Sequence, residues 1–129
     1  MTMDERAEKA VDLKLHHGCN CAQAVTTVLA DQTDLTAEQL AKLSSGFGVG
    51  MGSMEATCGA LVGAGMIAGM KTGGAGTMRL TRQMVERFRD RCGATVCRQL
   101  KQGADGKPLC SCEDCVRNAV LIYGEIMGV

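Results

Sequence analysis

Between Ala56 and Met70 the chain runs for 15 residues without a charge, and four of those residues, Gly59, Gly63, Gly65 and Gly69, are glycines. The stretch is apolar and shows no two-residue alternation, so it reads as a helix over about 54–70. Each interior glycine costs such a helix about 0.5–1 kcal/mol relative to alanine. That cost is offset where a second backbone comes close, as in small-xxx-small helix contacts. At about 100° per residue, Cys58, Gly65 and Gly69 fall on one line, and Gly59, Gly63, Met66 and Met70 on another. The sequence therefore predicts a central glycine-rich helix packed tightly by its neighbours, with Cys58 on a close-contact face. Glu55 and Lys71 close the stretch at each end, which leaves it short for a bilayer span.

The remaining signals are helical as well. Thr2-Met3-Asp4-Glu5 and Thr36-Ala37-Glu38-Gln39 have the form of capping boxes, and Asn20 with Gln23 follows the same logic. They place helices from Thr2 to about Leu15, from Cys21 to about Ala30, and from Thr36 to about Ser45. GFGVGMG at 46–52 reads as a loop. An amphipathic helix follows from Thr77 to about Arg91, and Thr95 is a candidate cap for a short one. Ser111 caps a last helix to about Ile126. GADGKP, before Cys110, carries turn chemistry. No strand-like alternation persists. The expected fold is all-α: one helical, cysteine-rich domain over 1–129, with five to six helices arrayed around the central one.

Fourteen basic and fourteen acidic residues balance, so no electrostatic footprint for nucleic acid or an anionic membrane is visible. Tyr123, Phe47 and Phe88 are the whole aromatic supply, too few for base stacking. The charged start MTMDERAEKAVD lacks the apolar run of a secretory signal, and the expectation is a soluble, cytoplasmic protein.

In that compartment eight cysteines point to metal binding or redox chemistry and not to structural disulfides. They stand at 19, 21, 58, 92, 97, 110, 112 and 115. Cys21, Cys97, Cys112 and Cys115 fall in opening turns of expected helices. Cys58 opens its helix if Thr57 is the cap, and lies a turn inside if Ser53 is. A helix N-terminus favours the thiolate, which is both the nucleophile of disulfide exchange and a metal ligand. Spacing does not choose between the two. Cys112-Glu113-Asp114-Cys115 is a CxxC pair without the βαβ context of a thioredoxin, and Cys92-x4-Cys97 completes only a loose zinc pattern. Ferredoxin spacing is absent. His16 and His17 are ligand candidates, although histidines at a helix C-terminus commonly serve the dipole. Arg91 and Arg98 are candidate supports for a thiolate at Cys97. Gly63-Ala64-Gly65-Met66-Ile67-Ala68 formally matches a dinucleotide fingerprint but sits inside a helix, which rejects it.

Gly18-x-Asn20-Cys21-Ala22-Gln23-Ala24-Val25, Gly46-Phe47-Gly48, Cys58-Gly59-Ala60-x-x-Gly63, Phe88-x4-Gly93-x3-Cys97 and Cys115 together resemble the C_GCAxxG_C_C family, to which redox activity is ascribed. The resemblance covers about 11–119. It implies that the signature cysteines are Cys21, Cys58, Cys97 and Cys115, with Cys19, Cys92, Cys110 and Cys112 as additions of this chain. The leading expectation is a redox protein, a candidate thiol–disulfide oxidoreductase, in which convergent signature cysteines carry thiol exchange or electron transfer. Its partner is a redox protein or a small disulfide that the sequence does not identify, and the sequence leaves the cofactor open between none, zinc and an iron–sulfur cluster. The alternative is a metal-binding module in which the same four cysteines hold zinc or an iron–sulfur cluster. A third is a structural or partner-binding domain whose glycine-lined helix forms a homodimer seam.

Overall fold

A computed structural model describes residues 1–103 and 105–129. Ala104, within the expected GADGKP turn, lies outside the described residues. Seven α-helices make up the fold among the described residues: α1 (Met3–His16), α2 (Cys21–Val28), α3 (Ala37–Ser44), α4 (Gly59–Thr72), α5 (Thr77–Cys92), α6 (Cys97–Lys101) and α7 (Cys112–Met127). The sequence led to five to six, and the five-residue α6 stands as an element of its own.

Local chemistry sets most helix starts. Thr2, Asn20 and Thr36 each accept the N3 amide, and Glu5, Gln23 and Gln39 reach back to the cap nitrogen in reciprocal boxes. Ser111 accepts from the Asp114 amide and starts α7. Each such cap is worth about 1 kcal/mol. α1 stops at His16, and Gly18 turns the chain with φ +74°.

The glycine-rich helix differs from expectation at its start. It begins at Gly59, not near Met54, so Cys58 is its N-cap and lies on no helical face. The preceding GFGVGMG segment is also more ordered than a loop: a 3-10 turn over Ser45–Phe47 leads into a π-type turn over Gly50–Met54. Val49, Met51 and Met54 there have φ of 53°, 58° and 63°. Left-handed backbone is strained for side chains of this kind, above all for a β-branched valine.

α4 packs against α2, α5 and α7, and α7 also meets α1. The buried core between them includes Val25, Ile67, Phe88, Val120 and Tyr123. One tight feature is the seam of α4 with α2 and the turn after α3. A Cβ on Gly59 would lie 2.6 Å from the Phe47 carbonyl oxygen in that turn and 3.3 Å from the Ala22 nitrogen, and one on Gly63 would lie 3.0 Å from the Ala22 carbonyl oxygen. Ala22 is itself fully buried. The Gly59–Gly63 line is thus used within the chain, whereas a Cβ on Gly69 would meet nothing within 4 Å.

These contacts give substitutions of opposite sign. Gly59→Ala overpacks the seam and is expected to destabilise the protein by about 1–3 kcal/mol. Gly69→Ala removes a helix-interior glycine from open space and is expected to stabilise it by about 0.5–1 kcal/mol. Thermal unfolding of the two variants checks both; equal shifts contradict the seam.

Candidate functional site

Four helix starts meet at one small cavity. Its wall carries six cysteines, Cys21, Cys58, Cys97, Cys110, Cys112 and Cys115, together with Val49, Gly59, Leu100 and Lys101. Cys21, Cys97 and Cys112 are the first residues of α2, α6 and α7; Cys58 caps α4, and Cys115 lies one turn into α7. Each of the eight cysteines is a free thiol.

Short-range contacts fix each position. Asn20, which caps α2 ahead of Cys21, donates from Nδ2 to the Ser45 carbonyl at 3.0 Å. Gly48 makes room for it, since a Cβ there would sit 2.4 Å from Asn20 Cγ. The Gly18–Val25 and Gly46–Gly48 motifs are therefore two halves of one contact. Cys58 and Cys97 are joined through backbone: the Cys58 amide donates to the Thr95 carbonyl at 2.7 Å and the Cys97 amide to the Ala56 carbonyl at 3.0 Å. These two bonds flank an antiparallel bridge between Thr57 and Val96. Thr95 thus serves Cys58 with its carbonyl, and the residue before α6 is Val96, not the expected threonine cap. Gly50, at φ +55°, lets the π-type turn pass Cys97, because a Cβ there would lie 2.7 Å from Cys97 Cβ. Cys110 is anchored to the end of α6, where the amides of Leu109 and Cys110 both donate to the Leu100 carbonyl.

The thiols fall into unequal pairs. Cys112 is partly exposed and lies against the buried Cys21. The interaction with the Cys21 thiol lowers the Cys112 pKa to about 5 against the opposing effect of burial, and Lys101 and Lys14 lower it further. Cys21 is pushed up by Cys112 and by burial. The shifts favour the thiolate at Cys112, the less buried partner and the one beside Lys101. In the inner pair, Cys58 is lowered by the Cys115 thiol against burial, with help from the amides of Ala60 and Leu61 in the first turn of α4. Those amides are the orphan donors of the helix start, although Cys58 makes no formal capping hydrogen bond. Cys115 is raised by Cys58 and Cys92 and by burial. Burial also raises Cys97, which Lys101 partly offsets.

The structure thus brings Cys21, Cys58, Cys97 and Cys115 to one cavity. It also brings Cys110 and Cys112 there, and places Cys92 beside Cys110 and Cys115, whose three sulfurs lie within 4.8 Å of one another. Cys19 packs at the edge of the core and does not line the cavity. The histidines also lie off it: His16 is exposed, and His17 Nε2 pairs with Asp12 at 3.1 Å. Arg91 binds Glu125 at 2.6 Å, and Arg98 donates to the Ser53 carbonyl, so neither is the cation of the cavity wall. That cation is Lys101, four residues after Cys97 in α6. The one-turn spacing was a signal for it in the sequence.

A helical frame converging on a thiol-lined cavity defines a cysteine-centred protein. The chain belongs to the C_GCAxxG_C_C family, whose model, described as "Putative redox-active protein (C_GCAxxG_C_C)", matches residues 19–126. No curated protein and no solved structure matches it. Among the described residues no helix is long and apolar enough to cross a membrane.

The Cys112 environment sets a pH dependence. Alkylation of Cys112 by iodoacetamide is expected to rise with pH through about 5, then level off. Lys101→Met removes a positive charge and moves the midpoint upward. Peptide-resolved mass spectrometry follows the rate, and a midpoint near the ordinary 9.0 in the unsubstituted protein contradicts the assignment.

Proposed function

We propose that this protein is a thiol–disulfide oxidoreductase that works through its cavity cysteines, with Cys112 as the entering nucleophile and Cys21 as the resolving thiol. The observation that carries the reading is the convergence of six cysteines from four helix starts on one cavity, where a partly exposed Cys112 sits against a buried Cys21 beside Lys101. The Cys112 thiolate attacks one sulfur of a substrate disulfide. The other sulfur departs as a thiolate and takes a proton from solvent. Cys21 then loses its proton and attacks Sγ of Cys112, which releases the second substrate thiol and leaves a Cys21–Cys112 disulfide. One disulfide is reduced to two thiols and two protein thiols are oxidised to one disulfide, so the electrons balance. A dithiol donor reverses the exchange. Cys58 and Cys115 form the inner pair of the same site, and Cys97 shares Lys101 with Cys112.

A second reading is favoured by the way Cys21, Cys58, Cys97 and Cys115 reach the cavity from four different helices. Four thiolates are a complete donor set for tetrahedral zinc or for an iron–sulfur cluster. In that case the four are ligands, and electron transfer or structural support replaces exchange.

Single-turnover reaction with glutathione disulfide separates the readings. Under the proposal, Cys21→Ser accumulates a glutathione adduct on Cys112, and Cys112→Ser loses the fast phase. Attack that is as fast in Cys112→Ser as in the unsubstituted protein overturns the proposal. About one zinc per chain, or a visible cluster absorbance in protein purified without oxygen, selects the second reading if Cys58→Ser removes it and destabilises the fold.

A further inference from the structure

Cys92, Cys110 and Cys115 form a grouping that the signature pattern does not contain. Their three Sγ atoms all lie within 4.8 Å of one another, and all three residues are buried. They come from separate parts of the chain: the last residue of α5, the segment before α7, and the second turn of α7. Each is positioned by the backbone around it. Gly93, at φ +93°, ends α5 directly after Cys92. The Leu100 carbonyl holds the Cys110 amide at 3.4 Å. Cys115 is fixed by the Ser111-capped helix, and its thiol donates to the Cys110 carbonyl at 3.8 Å.

We infer that Cys92, Cys110 and Cys115 form a three-coordinate thiolate site for a soft monovalent d10 cation, copper(I). Metal–sulfur bonds of about 2.3 Å in a trigonal plane place the sulfurs about 4 Å apart, within the spacing observed. Soft thiolates select copper(I), zinc and iron–sulfur clusters over harder ions. Structural zinc sites take four ligands. Among the described residues no histidine, aspartate or glutamate joins these three sulfurs, so the group offers three protein ligands and not four. Three-coordinate copper(I) needs no fourth. On binding, the ligating thiols give up their protons to solvent.

The site shares the cavity wall with the Cys21–Cys112 exchange pair through Cys110 and Cys115, but neither Cys21 nor Cys112 is among its ligands, and it does not depend on the exchange reading. A bound ion withdraws Cys115 from the inner pair with Cys58, so copper and a Cys58–Cys115 disulfide exclude each other.

Anaerobic competition for copper(I) against the chromophoric chelator bicinchoninate tests the inference on the full chain. One equivalent of copper(I) is expected to leave the chelator for the protein. Cys110→Ser and Cys92→Ser, each checked for helical content by circular dichroism, are expected to lose at least ten-fold in affinity, and Cys19→Ser to match the unsubstituted chain. Cys112→Ser is expected to keep the copper, which separates this site from the exchange pair. Should a serine variant fail to fold, protection of Cys92 and Cys110 from alkylation in the copper-loaded protein, mapped by mass spectrometry, gives the same answer. No transfer of copper, unchanged affinity in both folded variants, alkylation of Cys92 and Cys110 as fast with copper as without, or tighter binding of zinc than of copper(I) at the same thiols overturns the inference.

Discussion

The backbone of α4 lies directly on that of α2, and the position of the cysteines follows from this approach. Gly59 and Gly63 have no side chain to keep the Phe47 and Ala22 carbonyls away. Their absence of a Cβ brings the start of α4, with its cap Cys58, alongside the start of α2, with Cys21. A larger residue at either glycine would separate the two thiols by moving whole helices, since packed interiors resist local adjustment. The backbone bridge between Thr57 and Val96 then ties Cys97 to the same place. α7, which packs on both α2 and α4, delivers Cys112 and Cys115.

A cluster of buried thiols carries an electrostatic constraint that shapes its chemistry. Neighbouring thiols in a low-dielectric site cannot all ionise, because each thiolate raises the cost of the next. The thiolate is favoured where something stabilises it: at Cys112, near Lys101 and partly open to solvent, and at Cys58, against the Cys115 thiol and the first amides of α4. The pKa values of Cys21 and Cys115 are pushed up beside them. The result is a lowered and a raised thiol pKa in each pair. The strained turn at Val49, Met51 and Met54 passes this site, and Val49 lines the cavity itself.

Much of the frame was legible in the sequence because its signals are local. The caps at Thr2, Asn20, Thr36 and Ser111 each act within four residues, and each starts a helix where the sequence placed it. The start of α4 was not legible, since Met54-Glu55-Ala56-Thr57-Cys58 holds no glycine or proline to mark a break before the helix. It is the Thr57–Val96 bridge, with the Cys58 amide bonded to the Thr95 carbonyl, and the left-handed turn before it that delay the helix to Gly59. The four signature cysteines could be named from motif resemblance, but the nearness of Cys110 and Lys101 to them depends on the Leu109 and Cys110 amides bonding to the Leu100 carbonyl at the end of α6. The contact of Cys92 with Cys115 depends on α5 meeting α7. Both contacts join segments whose docking no local pattern announces, and so Cys92 and Cys110 stood as additions outside the signature set.

Disulfide mapping by mass spectrometry, after equilibration in buffers of graded oxidised and reduced dithiothreitol, reads the exchange pair directly. A Cys21–Cys112 link is expected to form and disappear reversibly with the buffer ratio, with the fold retained in both states. Cavity cysteines that stay reduced across the whole range, or a reversible link confined to other cysteines, contradict the exchange pair.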